Sequence, residues 1–396
     1  MKREVWIVSA IALVNSLSFT ILLPTLYPYG RQFGLNDFET SFLFSIFSLA
    51  QFIATPVIGQ LSDRWGRRPL LIVSLAGTML ANLMAGMATA AWVLFLARFL
   101  DGITGGNNSV IQAVIADVTD AENRARGFSL FGAAFGVGFV LGPIISIGAQ
   151  AISLGASFLV SAWIAGIALG VTYFLLPETL AEQRPQRHRF ELGLAKLITG
   201  LTLPKVGILL LINFLIGTTF TIFTYSFQPY FLNVLNQTPQ SLALMFIVYG
   251  LLGVLMQTFG VPRLTKRVNL LLILFSALLI RSLAFLAMPI WPNLIYFVSI
   301  TIFFSVFNSL VQPIINTLIS LNANAQQQGM VMGLNASYLS ISNGIGPVIA
   351  GLMIQQSAPV TYGYPLYLAG VCTLLVMLLA IKTRKKYAPS NLEGRK

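Results

Sequence analysis

Charge is scarce in this chain: Asp, Glu, Lys and Arg make up 9% of its 396 residues, against roughly 25% in soluble globular proteins. Too few polar groups are present to cover a surface in water, which excludes a soluble domain. Cysteine is almost missing, and the lone Cys372 rules out an internal disulfide and a thiolate metal cluster; it reads as a small packed side chain. The single histidine, His188, has no second histidine or cysteine near it, so no metal site is expected there. No G-x-x-x-x-G-K-[ST] motif occurs, which argues against ATP as the direct energy source. Clustered His, Asp or Cys of the kind a membrane enzyme uses is also missing, so neither enzyme activity nor a cofactor is expected.

What the chain does have is apolar length. Hydrophobic residues reach 56% and the mean hydropathy is +0.80. An apolar run of about 20 residues crosses the hydrocarbon as a helix. About a dozen runs qualify, from Val5 to Tyr29 through 38–59, 69–89, 92–116, 127–149, 155–176, 206–231, 241–261, 268–290, 292–320 and 329–354 to Tyr364–Ile381. Such runs lack the roughly ten-residue alternation of an outer-membrane barrel, so helices are expected. The expected class is an all-α membrane protein of twelve transmembrane helices. The first run is too long and lacks the small-residue site of a cleaved signal, and reads as a retained helix.

A net charge of +12 raises the question of nucleic acid, and the location of the basic residues answers it. With the N-terminus placed inside, the inner segments hold Lys2 and Arg3; Arg64, Arg67 and Arg68; Arg124 and Arg126; Arg184, Arg187, Arg189, Lys196 and Lys205; Arg263, Lys266 and Arg267; and Lys382 through Lys396. Only Arg31 falls in an outer loop, while Arg98 and Arg281 lie within spans. This asymmetry is the positive-inside rule. Both termini are expected in the cytoplasm, with lipid headgroups rather than nucleic acid as the anionic partner.

The chain also repeats itself. Gly142-Pro143 in span 5 recurs as Gly346-Pro347 in span 11, an offset of 204, and Arg126-Gly127 has a counterpart in Gln328-Gly329. Parallel six-helix halves follow: 1–176 and 206–386, a polar cytoplasmic linker at 177–205 and a tail at 387–396. Transporters built this way bind substrate near the midplane between repeats.

One loop stands out from this background. Gly59 to Leu71 reads GQLSDRWGRRPLL and packs an acid and three arginines between two apolar runs. Its pattern resembles the loop between helices 2 and 3 of major facilitator superfamily transporters. Span 4, LFLARFLDGITGGNNSVIQAVIADVT, is similar to the Arg-centred fourth-helix motif of that superfamily. GAAFGVGFVLGP in span 5 is similar to the Gly-x-x-x-Gly-Pro signature of its drug:proton antiporters, and the ITG and IADVT segments of span 4 resemble those of the tetracycline-efflux-like branch. Two departures are visible: Ser146-Ile147 follows Gly142-Pro143 where a small pair is usual, and span 1 carries Asn15 where many such antiporters have an acid.

The resemblance implies roles. Asp63 would face the start of span 11 near Gly329 and Met330, and Arg67 would pair with Asp117. Gly59 and Gly66 would permit close approach and a tight turn, and with Arg64, Arg68 and Arg124 the group forms a cytoplasmic gate. Membrane topology alone accounts for the arginines and leaves Asp63 unexplained. In span 5, Gly138, Gly142 and Pro143 form the antiporter-type segment.

Arg98 and Asp101 are three apart on one face of span 4, and intramembrane charges are kept where they pair or function. Asp101 is the one carboxylate this reading places deep in a span, hence the candidate proton carrier; a static ion pair is the alternative. Gly102, Gly105 and Gly106 continue that helix. The cavity candidates are Asn15, Asn108, Gln112, Tyr225, Gln228, Asn308, Gln312, Asn335 and Tyr338, each of which also serves as an interhelical hydrogen bond in many membrane proteins. Arg281 has no acid near it in sequence; the resemblance implies a peripheral span, from which it snorkels to a headgroup or takes part in function.

The expected function is secondary active transport by alternating access in the inner membrane: a monomer exporting drug-like or amphipathic organic molecules in exchange for protons. The alternatives are an uptake symporter or facilitator for a small metabolite, and a non-transporting sensor or enzyme.

Overall fold

A computed structural model describes residues 3–119, 121–180, 194–323 and 328–387, with the side chains of 121–125 and 194–196 outside the description. The Arg124 side chain, His188 and most of the linker and tail, for which expectations were stated, lie outside this description. Among the described residues the chain is helical, without strands. The helices are α1 (Arg3–Leu22), α2 (Leu26–Gln32), α3 (Asp37–Trp65), α4 (Arg67–Gly86), α5 (Ala91–Thr104), α6 (Asn107–Val118), α7 (Ala121–Gln150) and α8 (Leu154–Leu175). They continue as α9 (Leu194–Leu201), α10 (Val206–Pro229), α11 (Pro239–Leu255), α12 (Val261–Arg267), α13 (Leu270–Ala287), α14 (Leu294–Asn322), α15 (Gln328–Met353) and α16 (Tyr364–Thr383).

Local chemistry sets many of the starts. Asn36 accepts the Glu39 amide while the Glu39 carboxylate accepts the Asn36 amide, a capping box that opens α3. Ser153, Asn269 and Asn293 cap α8, α13 and α14 with their side chains. Each such cap is worth about 1 kcal/mol. Among the described residues ten spans are long and apolar enough to cross a membrane. Their surfaces agree with that placement, since Trp163, Leu272, Phe303 and Leu375 are exposed along their helices, where water would penalise them and lipid does not.

Two sequence expectations change. The first run is not one helix: it turns at 23–25, where Pro24 cannot donate to the ladder, and resumes as α2. The fourth run breaks at Gly105-Gly106 into α5 and α6, each too short to count as a span. The eleventh run is a helix as expected, α15, and its Asn335, Ser337, Ser340, Ser342 and Asn343 make it more polar than the ten.

The chain divides into two compact units: Met1–Leu192 with Thr238–Gly250, and Gly193–Gln237 with Leu251–Lys396. In the first, α1 packs on α7 because glycine lets it. A β-carbon on Gly138 or Gly142 would overlap Ser16 or Thr20, and the Thr20 hydroxyl donates to the Gly138 carbonyl at 2.8 Å. In the second, α10 packs on α15 by the same device. A β-carbon on Gly346 would overlap Thr221, whose hydroxyl donates to the Ser342 carbonyl at 2.9 Å. Small residues and hydroxyls are the usual adhesive between helices in lipid, where apolar burial gives no net gain.

Candidate functional site

The charged loop folds into a compact cluster around Arg67. Gly66 stands between α3 and α4 at φ +102°, ψ 152°, a backbone region essentially restricted to glycine. The turn folds the Arg67 side chain back beneath α3. Its guanidinium meets Asp63 at 2.6 Å and Asp117 of α6 at 2.9 Å, and donates to the Ser62 hydroxyl at 2.8 Å. Arg67 is buried and Asp63 is exposed, so one charge is fixed and its partner remains accessible. Arg68 donates to the Tyr173 carbonyl and lies over the Tyr173 ring, and Arg64 is exposed.

Glu178, just beyond the end of α8, was missed by sequence reasoning. Its carboxylate accepts the Arg67 amide at 2.9 Å and the Arg68 amide at 3.1 Å, so an anion sits on the unpaired N–H groups that begin α4. Gly59 differs from expectation. The nearest atom to a β-carbon there would be the Ser109 hydroxyl at 4.0 Å, so close approach is not why glycine stands at that position.

A second constellation lies within the first unit. Arg98 and Asp101 of α5 are both buried, with Nη1 and Oδ2 2.9 Å apart. The guanidinium lies over the Phe47 ring at 4.2 Å and reaches the Leu43 carbonyl of α3 at 3.4 Å. Close packing holds it there, because a β-carbon on Gly102 would strike the Phe47 carbonyl at 2.5 Å. The break below leaves the Gly105 carbonyl without a helical donor, and Gln51 supplies one at 2.8 Å. Asp101 is not alone: Asp37, in the first turn of α3, is also buried and accepts the Tyr27 hydroxyl.

Each unit holds a carboxamide cluster. In the first, Asn15 donates to Asn108 at 2.9 Å and accepts from Asn107 at 3.0 Å, while Gln112 points out and is exposed. In the second, Asn213 donates to Asn335 at 2.6 Å, Asn335 to Asn316 at 3.1 Å, and Gln312 to Asn316 at 3.0 Å. Sequence reasoning named Gln312 and Asn335 and missed Asn107, Asn213 and Asn316. For Asn316 the repeat was the available signal, since Asn108 and Gln112 align with Gln312 and Asn316 at the offset of 204. Tyr225 and Gln228 are fully buried, Asn308 is half-buried, and the Tyr338 hydroxyl donates to the Leu197 carbonyl of α9. A cavity of about 540 Å³ beside Lys205 and Lys386 contains none of these amides.

Arg281 corrects its expectation. It is 1% exposed and does not snorkel; its guanidinium donates to the Ile216 carbonyl at 2.8 Å and to the Thr219 hydroxyl at 2.9 Å. Acidic residues in the chain stop at Glu191 and resume only at Glu393. Any intramembrane carboxylate therefore belongs to the first unit. Among the described residues no group of three His, Cys, Asp or Glu side chains is arranged to hold a metal.

A sequence profile described as Major Facilitator Superfamily matches residues 8–341 and 209–396. The class C tetracycline resistance protein of Escherichia coli is 29% identical over 380 residues, 93% of this chain and 94% of that protein. The quinolone resistance protein NorA of Staphylococcus aureus (strain MSSA476) is 24% identical over 400 residues, 99% of this chain and all of that one. Among solved structures, the nucleoside transporter NupG aligns with a TM-score of 0.79 at 11% identity, covering 96% of this chain and 99% of that one.

Proposed function

The chain belongs to the major facilitator superfamily and is a multi-pass membrane transporter; from that premise we propose that it exports drug-like or amphipathic organic molecules in exchange for protons, by alternating access. The observation that carries the proton is the buried Arg98–Asp101 pair. A carboxylate in mid-membrane exchanges a proton with far less disturbance than it leaves as a bare charge, and an adjacent guanidinium stabilises it in the interval. Asp37 is the other buried acid, and it sits at a helix start bound to Tyr27, outside the middle of a span.

The drug-like cargo is supported by relatives named for tetracycline and quinolone resistance that align along nearly the whole chain. Amide clusters offering neutral donors and acceptors suit the polar edges of such molecules. In this proposal the Asp63–Arg67–Asp117 cluster gates the cytoplasmic side. Asn15, where an acid is usual, favours a second reading: a facilitator without proton coupling.

The test is counterflow in proteoliposomes under an imposed pH gradient, with tetracycline and a quinolone as probes. Wild type is expected to accumulate at least one probe against its gradient, and Asp101→Asn to bind it and lose the gradient-driven step. Equal uphill transport by Asp101→Asn would overturn proton carriage by this residue; equilibration without accumulation by wild type would favour the facilitator.

A further inference from the structure

Arg281 is a full positive charge in the interior of the second unit with no carboxylate to meet it. No Asp or Glu occurs between residues 192 and 392, and among the described residues no acid lies within ion-pair distance of it. Nη2 carries both of its hydrogen bonds, to Ile216 and Thr219. Nε is buried without a partner. The faces of Phe220 and Phe285 lie 5.4 and 5.3 Å from the guanidinium carbon, and Phe285 stacks on Phe223 behind it. Aromatic faces attract a cation and do not neutralise it.

The arrangement differs from that of Arg98, which has its own acid three residues away. A guanidinium with Nε to spare is a donor set for one more acceptor, and the strongest acceptor for it is an anion. The two rings over it differ in burial: Phe220 is 37% exposed and Phe285 is fully buried.

We propose that Arg281 is the docking point of a single negative charge, carried either by an organic carboxylate or by a small inorganic anion. The second unit then takes the anionic part of a substrate or a counter-ion, while the first unit, which holds every intramembrane acid, handles protons. The inference rests on the transporter reading for its purpose only, because binding is measured without transport.

The experiment is scanning calorimetry of the purified full chain in a low-salt zwitterionic buffer, titrated with sodium benzoate and separately with sodium chloride, each at the same added ionic strength. A saturable rise in the unfolding temperature of wild type is expected with at least one of them. Benzoate alone identifies an organic carboxylate, chloride alone an inorganic ion, and both a site open to either. Arg281→Gln is expected to raise the half-saturating concentration about tenfold or more, the loss of one charge-assisted contact. The exposed Arg263→Gln should titrate like wild type. If Arg281→Gln does not fold, Arg281→Lys decides: it keeps the charge without the fork, and weaker binding is expected. Wild type insensitive to both anions, or an Arg281 variant titrating like wild type, would overturn the proposal. Transport without anion binding would leave the transporter reading intact, and anion binding without transport would do the reverse.

Discussion

Glu178 fills the space that a side chain on Gly66 would need: a β-carbon at Gly66 would overlap the Glu178 carboxylate. That carboxylate in turn caps the start of α4. The glycine and the acid, far apart in sequence, form one joint. Gly66→Ala therefore combines a backbone conformation costing about 1–3 kcal/mol with displacement of the cap. The unfolding temperature should fall clearly, and Glu178→Gln, which keeps the shape and removes the charge at the helix start, should cost about 0.3–1 kcal/mol. A Gly66→Ala chain as stable as wild type would refute this account of the turn.

Arg67 holds Asp63, Asp117 and Ser62 with one planar group. Lysine offers a point charge and no fork, so Arg67→Lys should lose about one charge-assisted bond, roughly 1.5–3 kcal/mol, and slow transport more than it lowers stability. Initial rates in proteoliposomes beside calorimetry of the same preparations check this. Equal rates for the two chains would remove the cluster from the transport cycle.

Gly142→Ala places a methyl group against Thr20, whereas Gly148→Ala meets nothing within 4 Å. The first should destabilise by about 1–3 kcal/mol through overpacking, and the second should be near neutral or stabilising in its helix. Thermal unfolding of the two variants side by side is the measurement; a neutral Gly142→Ala would show that α1 and α7 part easily.

Asn213 is fully buried and ties α10 to α15 and α14 through Asn335 and Gln312. Asn213→Ala leaves the Asn335 and Gln312 amides short of a partner. Single interhelical hydrogen bonds in bilayers average about 0.6 kcal/mol, and two losses with an orphaned group should reach about 1–3 kcal/mol. Unfolding in mild detergent reports it, and no change would mean that the cluster relaxes onto water.

Spans and basic loops were legible because length, hydropathy and charge are properties of a segment by itself. Pairings across spans depend on how each helix is rotated about its axis, which no local pattern records. Asp117 became legible as a partner of Arg67 only through resemblance, and Glu178 left no trace because it bonds backbone amides, which every residue but proline has. Of the two alternatives held for Arg281, snorkelling is not seen, for a related reason. Its side chain turns toward the Ile216 carbonyl of α10, and the direction of a flexible side chain is set by its neighbours, not by its distance from the span end. Span 4 gave the opposite lesson: hydropathy ran through Gly105-Gly106 without pause, while the backbone did not.

That break turns the fourth span into two levers on a common pivot. The upper lever, α5, carries Arg98 and Asp101; the lower, α6, carries Asp117 and so the grip on Arg67. A rigid rod would transmit every tilt at the Arg67 end to the buried pair. At Gly105-Gly106 the run of helical bonds is interrupted, and the side chains that tie the break to its neighbours are Gln51, on the Gly105 carbonyl, and Ser74, on the Thr104 carbonyl. No continuous helix then carries a tilt of the lower arm to the packing of Arg98 on Phe47.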